Sequence, residues 1–190
     1  MTATDSPGTT VTFSITDMLI EIGSFHEGGV VFHVYQSGDA GYVFGETHGL
    51  IAAVQCQGVK QWHGSAYLNA GATATAIGTG SANTDAIIAA QGASATNYAA
   101  GTARAYNGGG YTDWFLPSID ELNKMRTHQS TINNTATSNG GSNFSSWIYA
   151  QYWSSTQYNT GYVYYTRFYN GVTIPDAMYS SDYVRAVRAF

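Results

Sequence analysis

The segment DWFLPSIDELNKMRTHQ, residues 113–129, contains the clearest helix start in this sequence of 190 residues. Ser118 can accept a hydrogen bond from the backbone of Glu121, and the Glu121 side chain can reach back to the backbone of Ser118, which forms a capping box. Asp120 adds a second acid to the first turn, where the helix dipole favours negative charge. The apolar residues that follow recur at helical spacing: Ile119, Leu122 and Met125. An amphipathic helix is therefore predicted to begin at residue 118.

The segments on either side of this helix have the composition of β-strands. Upstream, GGVVFHVYQSGDAGYVFGETHGLIAAVQCQG (residues 28–58) predicts two or three short strands separated by glycine-rich turns. Downstream, WIYAQYWSST, GYVYYTRFYNG and DYVRAVRAF are aromatic and β-branched and predict further strands. Strands, then helices, then strands is the order of an α+β domain.

The residues around the central helix are predicted to add two short helices before it and a loop after it. In residues 69–112, ANTDAIIAAQG offers Asn83 or Thr84 as a helix cap and Gly92 as a stop. Its apolar face consists of Ile87 and Ile88. The second segment, ATNYAAGTARAYNGGG, is alanine-rich and ends in a glycine cluster. After the central helix, STINNTATSNGGSNFSS, residues 130–146, is predicted to be a polar surface loop.

The first 22 residues are expected to form an N-terminal arm that precedes a single domain, residues 23–190. The apolar residues of the arm follow strand-like alternation and then a helical turn: Val11, Phe13 and Ile15, followed by Met18, Leu19 and Ile22. An arm of this kind could pack on the body or on a neighbouring subunit. A frayed tail joined to a first strand fits the same residues.

Composition argues against several classes of protein. The chain has seven basic and twelve acidic residues and no run of Lys or Arg, so duplex nucleic acid is not an expected partner. Its longest apolar stretch is well short of the roughly 20 residues that span a bilayer, and neither membrane insertion nor a signal peptide is expected. Cys56 is the single cysteine, which excludes an intrachain disulfide and metal sites built from cysteine clusters. A chain of this length can bury a core without such staples.

No catalytic or metal-binding motif stands out. The upstream histidines form neither an HxxxH nor an HxxH pair and are expected to have structural or solvent roles: His26, His33, His48 and His63. A GxSxG motif is absent, and the glycine-rich strings GTGSAN and NGGGYTDW lack the lysine of a phosphate loop. Asp113, Asp120 or loop carbonyls could supply oxygens to calcium, although nothing in their spacing requires it. No cofactor is therefore expected.

Five motifs occur in a distinctive order and spacing: GETHGLIAA, AIGTGSANTDAIIAAQ, NGGGYTDWFLPSIDELNKM, YWSST and VRAVRAF. Together they resemble the bacterial and phage domain family found at the C-terminus of the collagen-like adhesin Lcl, over residues 23–190. The resemblance implies a C-type-lectin-like fold of the kind seen in formylglycine-generating enzymes. In that fold a compact α+β body presents a sheet and loops near the C-terminus.

The activities that this fold hosts elsewhere are not expected here. Formylglycine generation, as the resemblance implies it, needs a pair of copper-binding cysteines near the C-terminus, whereas Cys56 lies far upstream. Calcium-dependent lectins of the vertebrate type use EPN or QPD followed by WND. This chain has IPD at Ile174 to Asp176, whose first residue cannot coordinate a metal, and no WND. The chain is therefore expected to be a binding protein and not an enzyme.

Residues 158–183, YNTGYVYYTRFYNGVTIPDAMYSSDY, hold seven of the fifteen tyrosines and no Lys, Glu, Gln, Leu or Trp. Tyr, Asn, Ser and Gly are favoured in antibody paratopes, because Tyr gives a large, rigid contact area at low entropic cost. The alternative is ordinary aromatic residues in a half-buried sheet. The adjacent pairs Tyr164–Tyr165 and Phe168–Tyr169 place aromatic rings on both faces of a strand, so some of them must face outwards.

The codons that can encode these residues give a second indication about this window. Every residue in it except Met178 can be encoded by a codon that ends in a pyrimidine, and Met178 is one adenine change from a Lys codon. This is the product expected when adenine-specific mutagenesis acts on Asn-rich template codons. It resembles the variable repeat of proteins diversified by retroelements, many of which carry this lectin-like domain and end in a closely similar RVRAVRAF.

The window is therefore predicted to be an exposed, interchangeable binding face. Its predicted ligand-binding residues are Tyr158, Asn159, Tyr162, Tyr164, Tyr165, Arg167, Tyr169, Asn170, Ile174, Asp176, Tyr179, Ser180, Asp182 and Tyr183. Trp153, Phe168, Gly171 and the terminal VRAVRAF are expected to hold the face in place. Arg185 and Arg188 are expected to pair with acids or backbone carbonyls and not with ligand.

Three functions are compared. The preferred one is a diversified tip of a phage tail or cell-surface adhesin, located on a virion or cell surface, that binds a protein or glycan receptor. The alternative is a fixed bacterial surface lectin or glycosaminoglycan-binding adhesin of the same family. An enzyme on this fold is the least favoured. The N-terminal arm and the habits of phage adhesins favour a homotrimer.

Overall fold

The computed structural model describes residues 20–64, 67, 69–92 and 96–190, and the backbone of residues 2–5 and 9–12. As predicted, the fold of these residues is α+β. β1 (Thr2–Asp5) and β2 (Thr9–Thr12) pair with each other as an antiparallel two-stranded sheet. The predictions for the following residues lie outside the described part of the chain: Phe13, Ile15, Met18 and Leu19. The division into arm and domain stays a prediction.

Two larger sheets form the body. Their strands are β3 (Phe25–His26), β4 (Gly29–Val34), β5 (Gly49–Ala53), β6 (Val59–Gln61), β7 (Gln151–Gln157), β8 (Tyr162–Arg167), β9 (Thr173–Ala177), β10 (Ser181–Tyr183) and β11 (Val187–Ala189). One sheet has the order β11-β5-β4-β3 and the other β6-β10-β7-β8-β9. Neighbouring strands are antiparallel except β10 and β7, which are parallel. The strands predicted upstream and downstream of the central helix are confirmed.

Strand β9 lies inside the tyrosine-rich window and was not predicted. It pairs antiparallel with β8 and forms an edge of its sheet. Pro175 lies in the middle of β9, where a sequence pattern argues against a strand because proline has no backbone N–H. An edge strand tolerates proline, because on its outer side there is no neighbouring strand that would need a hydrogen bond from the missing N–H.

The helices are α1 (Gly80–Gln91), α2 (Ala99–Arg104), α3 (Ile119–Thr127) and α4 (Gln129–Ser138). Both short helices predicted before the central one are confirmed as α1 and α2. The capping box of Ser118 and Glu121 is present at the start of α3, whose predicted apolar residues are buried. Among the residues that the structure describes, no helix is long and apolar enough to cross a membrane.

Helix α1 begins earlier than its local caps predicted. It starts at Gly80, so Asn83 and Thr84 lie inside the helix and are buried. The Asn83 amide donates to the Ala74 carbonyl at 2.7 Å, and the Thr84 hydroxyl accepts from the Leu116 backbone N–H at 3.0 Å. The first amide of α1 instead donates to the Glu121 side chain, so a cap from α3 replaces a local one.

The prediction of a loop over residues 130–146 is wrong for its first half, which forms α4. The segment is poor in strong helix formers, which is why it was predicted as a loop. Ile132 and Ala136 are fully buried on one side of α4, and their burial compensates for the weak propensity. The Thr137 and Ser138 hydroxyls donate back to carbonyls one turn earlier.

The core consists of two clusters of buried side chains, and strand β7 contributes to both. Trp153 belongs to the cluster with Trp62 and Trp114, whereas Tyr152 belongs to the cluster with Phe32. Successive side chains of a strand point to opposite faces, so β7 is covered on both sides. The predicted scaffold residues Trp153 and Phe168 are buried, and Gly171 has a φ of 74°, a conformation that favours glycine.

The arginines of the terminal VRAVRAF attach it to strand β5 and to neighbouring loops. Arg188 forms ion pairs with Glu27 and Asp113, and its guanidinium lies 3.8 Å from the centre of the Tyr111 ring. Arg185 donates only to backbone carbonyls. Both arginines therefore have the structural partners that were predicted for them.

Candidate ligand-binding site

The tyrosine-rich window is held on a rigid three-stranded part of the sheet. β8 pairs with β7 on one side and β9 on the other, so Tyr162 lies opposite Ala177 and Trp153 opposite Tyr165. The β7–β8 turn lies at one end of this unit and the β8–β9 turn at the other. The window therefore presents its side chains from fixed backbone positions.

The structure divides the fourteen predicted ligand-binding residues by exposure. The exposed ones are Tyr158, Asn159, Tyr162, Tyr169, Asn170, Ile174 and Tyr179. The half-buried ones are Tyr164, Arg167, Asp176, Ser180 and Tyr183. Their distribution separates the outward tyrosines into two groups. Tyr158, Tyr162 and Tyr179 lie towards the β7–β8 turn, whereas Tyr169 lies on the β8–β9 turn.

Two predicted members of the exposed face are buried, which corrects that prediction. Tyr165 is 2% exposed and packs its ring edge-on against Trp153, at 6.3 Å between centroids. Asp182 is 8% exposed because β10 lies between β6 and β7 and is flanked on both sides. Both side chains therefore lie beneath the exposed residues of the window and are not part of its surface.

The two asparagines shape turns as well as being exposed. The Asn159 side-chain oxygen accepts from the Gly161 and Tyr162 backbones at 2.9 and 3.0 Å. The Asn170 oxygen accepts from the Val172 backbone at 3.1 Å. Side-chain bonds two residues ahead are how asparagine stabilises turns. Their amide nitrogens are the groups left for a ligand.

A concave site with a volume of about 460 Å³ lies beside the β7–β8 turn, and we call it the tyrosine cavity. Its lining residues are Tyr67, Asn69, Thr160, Gly161, Tyr162, Ala177 and Tyr179. The Tyr67 and Tyr179 rings are nearly perpendicular, with centroids 6.1 Å apart. Partial desolvation and the nearby hydroxyls of Tyr179 and Tyr162 raise the pKa of Tyr67. The three phenols therefore lie close together.

Tyr67 and Asn69 were not predicted as site residues. They lie about ninety residues before the window, in a segment of small residues where a single aromatic ring forms no pattern. Hydrogen bonds of the Gln157 side chain connect their segment to the window. The Gln157 side chain accepts from the Ala70 backbone at 2.9 Å and donates to the Asn159 carbonyl at 2.8 Å, which joins the two sides of the cavity.

Below the exposed face lies a polar network that we call the Asp182 cluster, formed by Gln151, Tyr165, Arg167, Asp176 and Asp182. The Gln151 amide orientation that satisfies its neighbours donates to both Asp182 oxygens, at 3.0 and 3.2 Å. Its oxygen then accepts from the Arg167 guanidinium at 3.2 Å and from the Tyr165 hydroxyl at 3.0 Å. The network fixes the half-buried Arg167 beneath the face.

Burial, with a smaller contribution from the nearby Asp176 and against the opposing effect of Arg167, raises the pKa of Asp182 to about 7. Lys60 lies directly opposite Asp182 on β6. A carboxyl whose pKa is higher in the folded chain stabilises the fold below its ordinary pKa, and this stabilisation is lost as the pH rises towards 7.

Asp182→Asn should therefore flatten the pH dependence of stability. Relative to the variant, the wild type should lose roughly 2 kcal/mol of unfolding free energy between about pH 4 and pH 8, since Lys60 and residual solvent reduce the full effect. Urea unfolding at several pH values measures this. Asp85→Asn, at an exposed position, is the control and should leave the slope unchanged. An equal slope for wild type and Asp182→Asn would contradict the assignment.

Three of the histidines and acids considered for metal binding have carboxylate or arginine partners. His33 pairs with Asp39 and His48 with Glu46, each at 2.7 Å, which fits the structural roles predicted for them. Asp113 pairs with Arg188. Across the described residues, no group of three or more His, Cys, Asp or Glu side chains is placed to hold a metal ion.

Comparison with known proteins identifies one family. The profile of the Lcl C-terminal domain matches residues 53–188. The matched range contains the central helix, the tyrosine cavity and the Asp182 cluster. A search of curated protein sequences finds no significant match.

Proposed function

The chain belongs to the Lcl C-terminal domain family, and from this membership and the exposed tyrosines we propose that it is a non-enzymatic ligand-binding domain with a C-type-lectin-like fold. The observation that carries the proposal is the meeting of Tyr162 and Tyr179, from the window, at one concave site. Tyrosines in such positions give binding energy through ring contacts and hydrogen bonds. In the part of the chain that the structure describes, the lining of the cavity contains no His, Cys, Asp, Glu or Lys, which supports binding over catalysis.

The scaffold suits a face whose side chains are exchanged. The segment that follows β9 is held through its own backbone groups. The Tyr179 carbonyl accepts from the Gln61 side chain at 2.8 Å, and the Met178 N–H donates to the Gly161 carbonyl at 3.1 Å. Replacing the exposed Tyr162 or Tyr179 side chain leaves these bonds in place. We therefore propose that the exposed window positions are diversified by adenine-specific mutagenesis.

In this proposal the domain is the tip of a phage tail or of a cell-surface adhesin. It acts outside the cell, on a virion or cell surface, and binds a receptor presented by another cell. A homotrimer is the proposed assembly. Binding through several identical tips would strengthen weak individual contacts by avidity.

We expect Tyr162→Ser/Tyr179→Ser to lose binding to the receptor. On arrays of glycans and bacterial surface proteins, the wild type should bind members that the double variant binds about tenfold or more weakly, because central tyrosines carry much of the energy of a site. Tyr149→Ser is the matched control. Tyr149 is 60% exposed but lies outside the window, so its loss should change binding less than twofold.

If the double variant and the wild type bind the same array members equally, the site is not in the window. Both variants change exposed side chains, so loss of folding should not confuse the result. Thermal unfolding of each variant checks this point.

A fixed adhesin of the same family is the second candidate. It is favoured by Tyr67 and Asn69, which line the cavity from outside the window and would serve a site that does not vary. The nucleotide neighbourhood separates the two candidates. Diversification requires a near-identical template repeat that differs at adenines, together with a reverse transcriptase. If homologous copies of the gene from one strain show no adenine-linked variation in codons 158–183, the diversification proposal fails and the fixed adhesin is the remaining candidate.

A further inference from the structure

We propose that the tyrosine cavity binds a neutral, hydroxyl-rich saccharide, and that Tyr67 and Asn69 are ligand contacts supplied from outside the window. The inference rests on the proposed binding function and assigns its ligand class. It also makes the site composite, with one part in the window and one part in a segment that adenine mutagenesis of the window does not reach.

The lining determines the kind of ligand. Three phenols, the Asn69 amide and the Thr160 hydroxyl are neutral groups that donate and accept hydrogen bonds. Among the described residues, no charged side chain lines the cavity, so a sulfate or carboxylate on a ligand would lose its hydration without a cation to replace it. A sugar ring offers hydroxyls for the polar groups and an apolar C–H face for the tyrosine rings.

The net charge of the chain and the histidine beside the cavity also disfavour an anionic ligand. The chain has a net charge of −5, which gives an anion no general attraction. His63 packs against Tyr67 with ring centroids 5.6 Å apart, but burial lowers the pKa of His63, so its ring is neutral at pH 7. Neither the described lining nor His63 therefore supplies a cation to an anionic ligand.

The hydrogen-bonding groups of the cavity are prepared for a ligand. The Asn69 oxygen accepts from the Gly71 backbone at 3.0 Å, which orients the amide. Tyr67 and Tyr179 meet at 85°, so a ring that stacks on one of them meets the edge of the other. Because the amide and the two rings already have defined orientations, they lose less conformational entropy when a ligand binds.

The shape of the site favours a saccharide over a protein surface. A volume of about 460 Å³ lies within the roughly 300–1,000 Å³ of small-molecule sites. Protein partners usually cover broad faces of about 800 Å² on each side. Here the outward tyrosines are divided, with Tyr169 on the opposite turn from the cavity. A compact ligand can use the cavity alone.

The test uses a panel of neutral, sialylated and sulfated oligosaccharides with the intact protein. Neutral members should bind and shift the ring signals of Tyr67, Tyr162 and Tyr179 in NMR spectra of tyrosine-labelled protein. Tyr67→Ala should weaken this binding about tenfold, and Asn69→Ala about three- to tenfold. Tyr67→Phe should retain most of the affinity, because it keeps the ring. Tyr149→Ala, at a similarly exposed tyrosine outside the window and the cavity, should change affinity less than twofold.

Stronger binding of sulfated or sialylated members than of neutral ones would overturn the inference, as would unchanged binding by Tyr67→Ala. A wild type that binds no neutral saccharide but binds proteins through Tyr162 and Tyr179 would also overturn it, while the proposed function would stand. Array binding that is unaffected by Tyr162→Ser/Tyr179→Ser would instead contradict the proposed function.

Discussion

Arg185→Met should lower the free energy of unfolding by about 3 kcal/mol. Arg185 is 1% exposed, and its guanidinium donates to the carbonyls of Ala53 at 2.6 Å, Val54 at 3.0 Å and Ser142 at 3.1 Å. No carboxylate takes part in these bonds, and burial lowers the pKa of Arg185 to about 10, which still leaves it charged at neutral pH. Removing the guanidinium leaves buried carbonyls without their donors, and each such loss costs about 1–3 kcal/mol.

Part of that cost is offset, because methionine does not have to be dehydrated as a charge. Urea unfolding at pH 7 measures the difference. Arg104→Met is the matched control: Arg104 pairs with Asp85 at the surface, and exposed pairs contribute less than about 1 kcal/mol. Arg185→Lys should recover little stability, because an ammonium group cannot bond three carbonyls in the planar arrangement of a guanidinium. A loss for Arg185→Met no larger than that for Arg104→Met would show that water can replace the guanidinium.

Glu121→Gln should cost about 2–3 kcal/mol of unfolding free energy. One Glu121 oxygen accepts from the backbones of Gly78 and Gly80, at 2.8 and 3.3 Å, and the other accepts from Ser118 at 2.7 Å. A glutamine has a single acceptor oxygen, so its amide N–H₂ would face one of these backbone N–H groups. The variant would break the N-terminal bonds of α1 or α3.

The effect should be large because Glu121 is fully buried and touches two helix starts. Burial raises the pKa of its carboxyl to about 7, even though the backbone donors of Ser118, Gly80 and Gly78 oppose the shift. Asp120→Asn is the control, because Asp120 is an exposed acid in the same first turn and should contribute less than about 1 kcal/mol. Urea unfolding compares the two. Equal losses for Asp120→Asn and Glu121→Gln would mean that Glu121 acts only through the helix dipole.

Glu121 also shows how far sequence reasoning reaches. The capping box with Ser118 was predicted, because the two residues are three apart and the bonds are local. The bonds to Gly78 and Gly80 were not, because those glycines lie some forty residues earlier. A Cβ on Gly80 would clash with the Glu121 carboxylate, so this glycine is required by a contact between distant helices.

The candidate site divides in the same way. The composition of the window predicted that tyrosines would face outwards, and Tyr162 and Tyr179 do. The burial of Tyr165 and Asp182 follows from the packing of β8 against β7 and from the place of β10 in the sheet, which no local pattern encodes. The contribution of Tyr67 and Asn69 to the cavity depends on bonds from Gln157, which lies close to ninety residues away.

The sequence by itself determined the order of strands and helices, the start of α3 and the tyrosine-rich face, because these follow from short-range backbone preferences and from composition. Tertiary structure alone decided which tyrosines are exposed, which carbonyls Arg185 binds and which residues complete the cavity. The physical reason is that burial and hydrogen bonding depend on which distant segments pack together, and α4 shows that such packing can also override a weak local propensity.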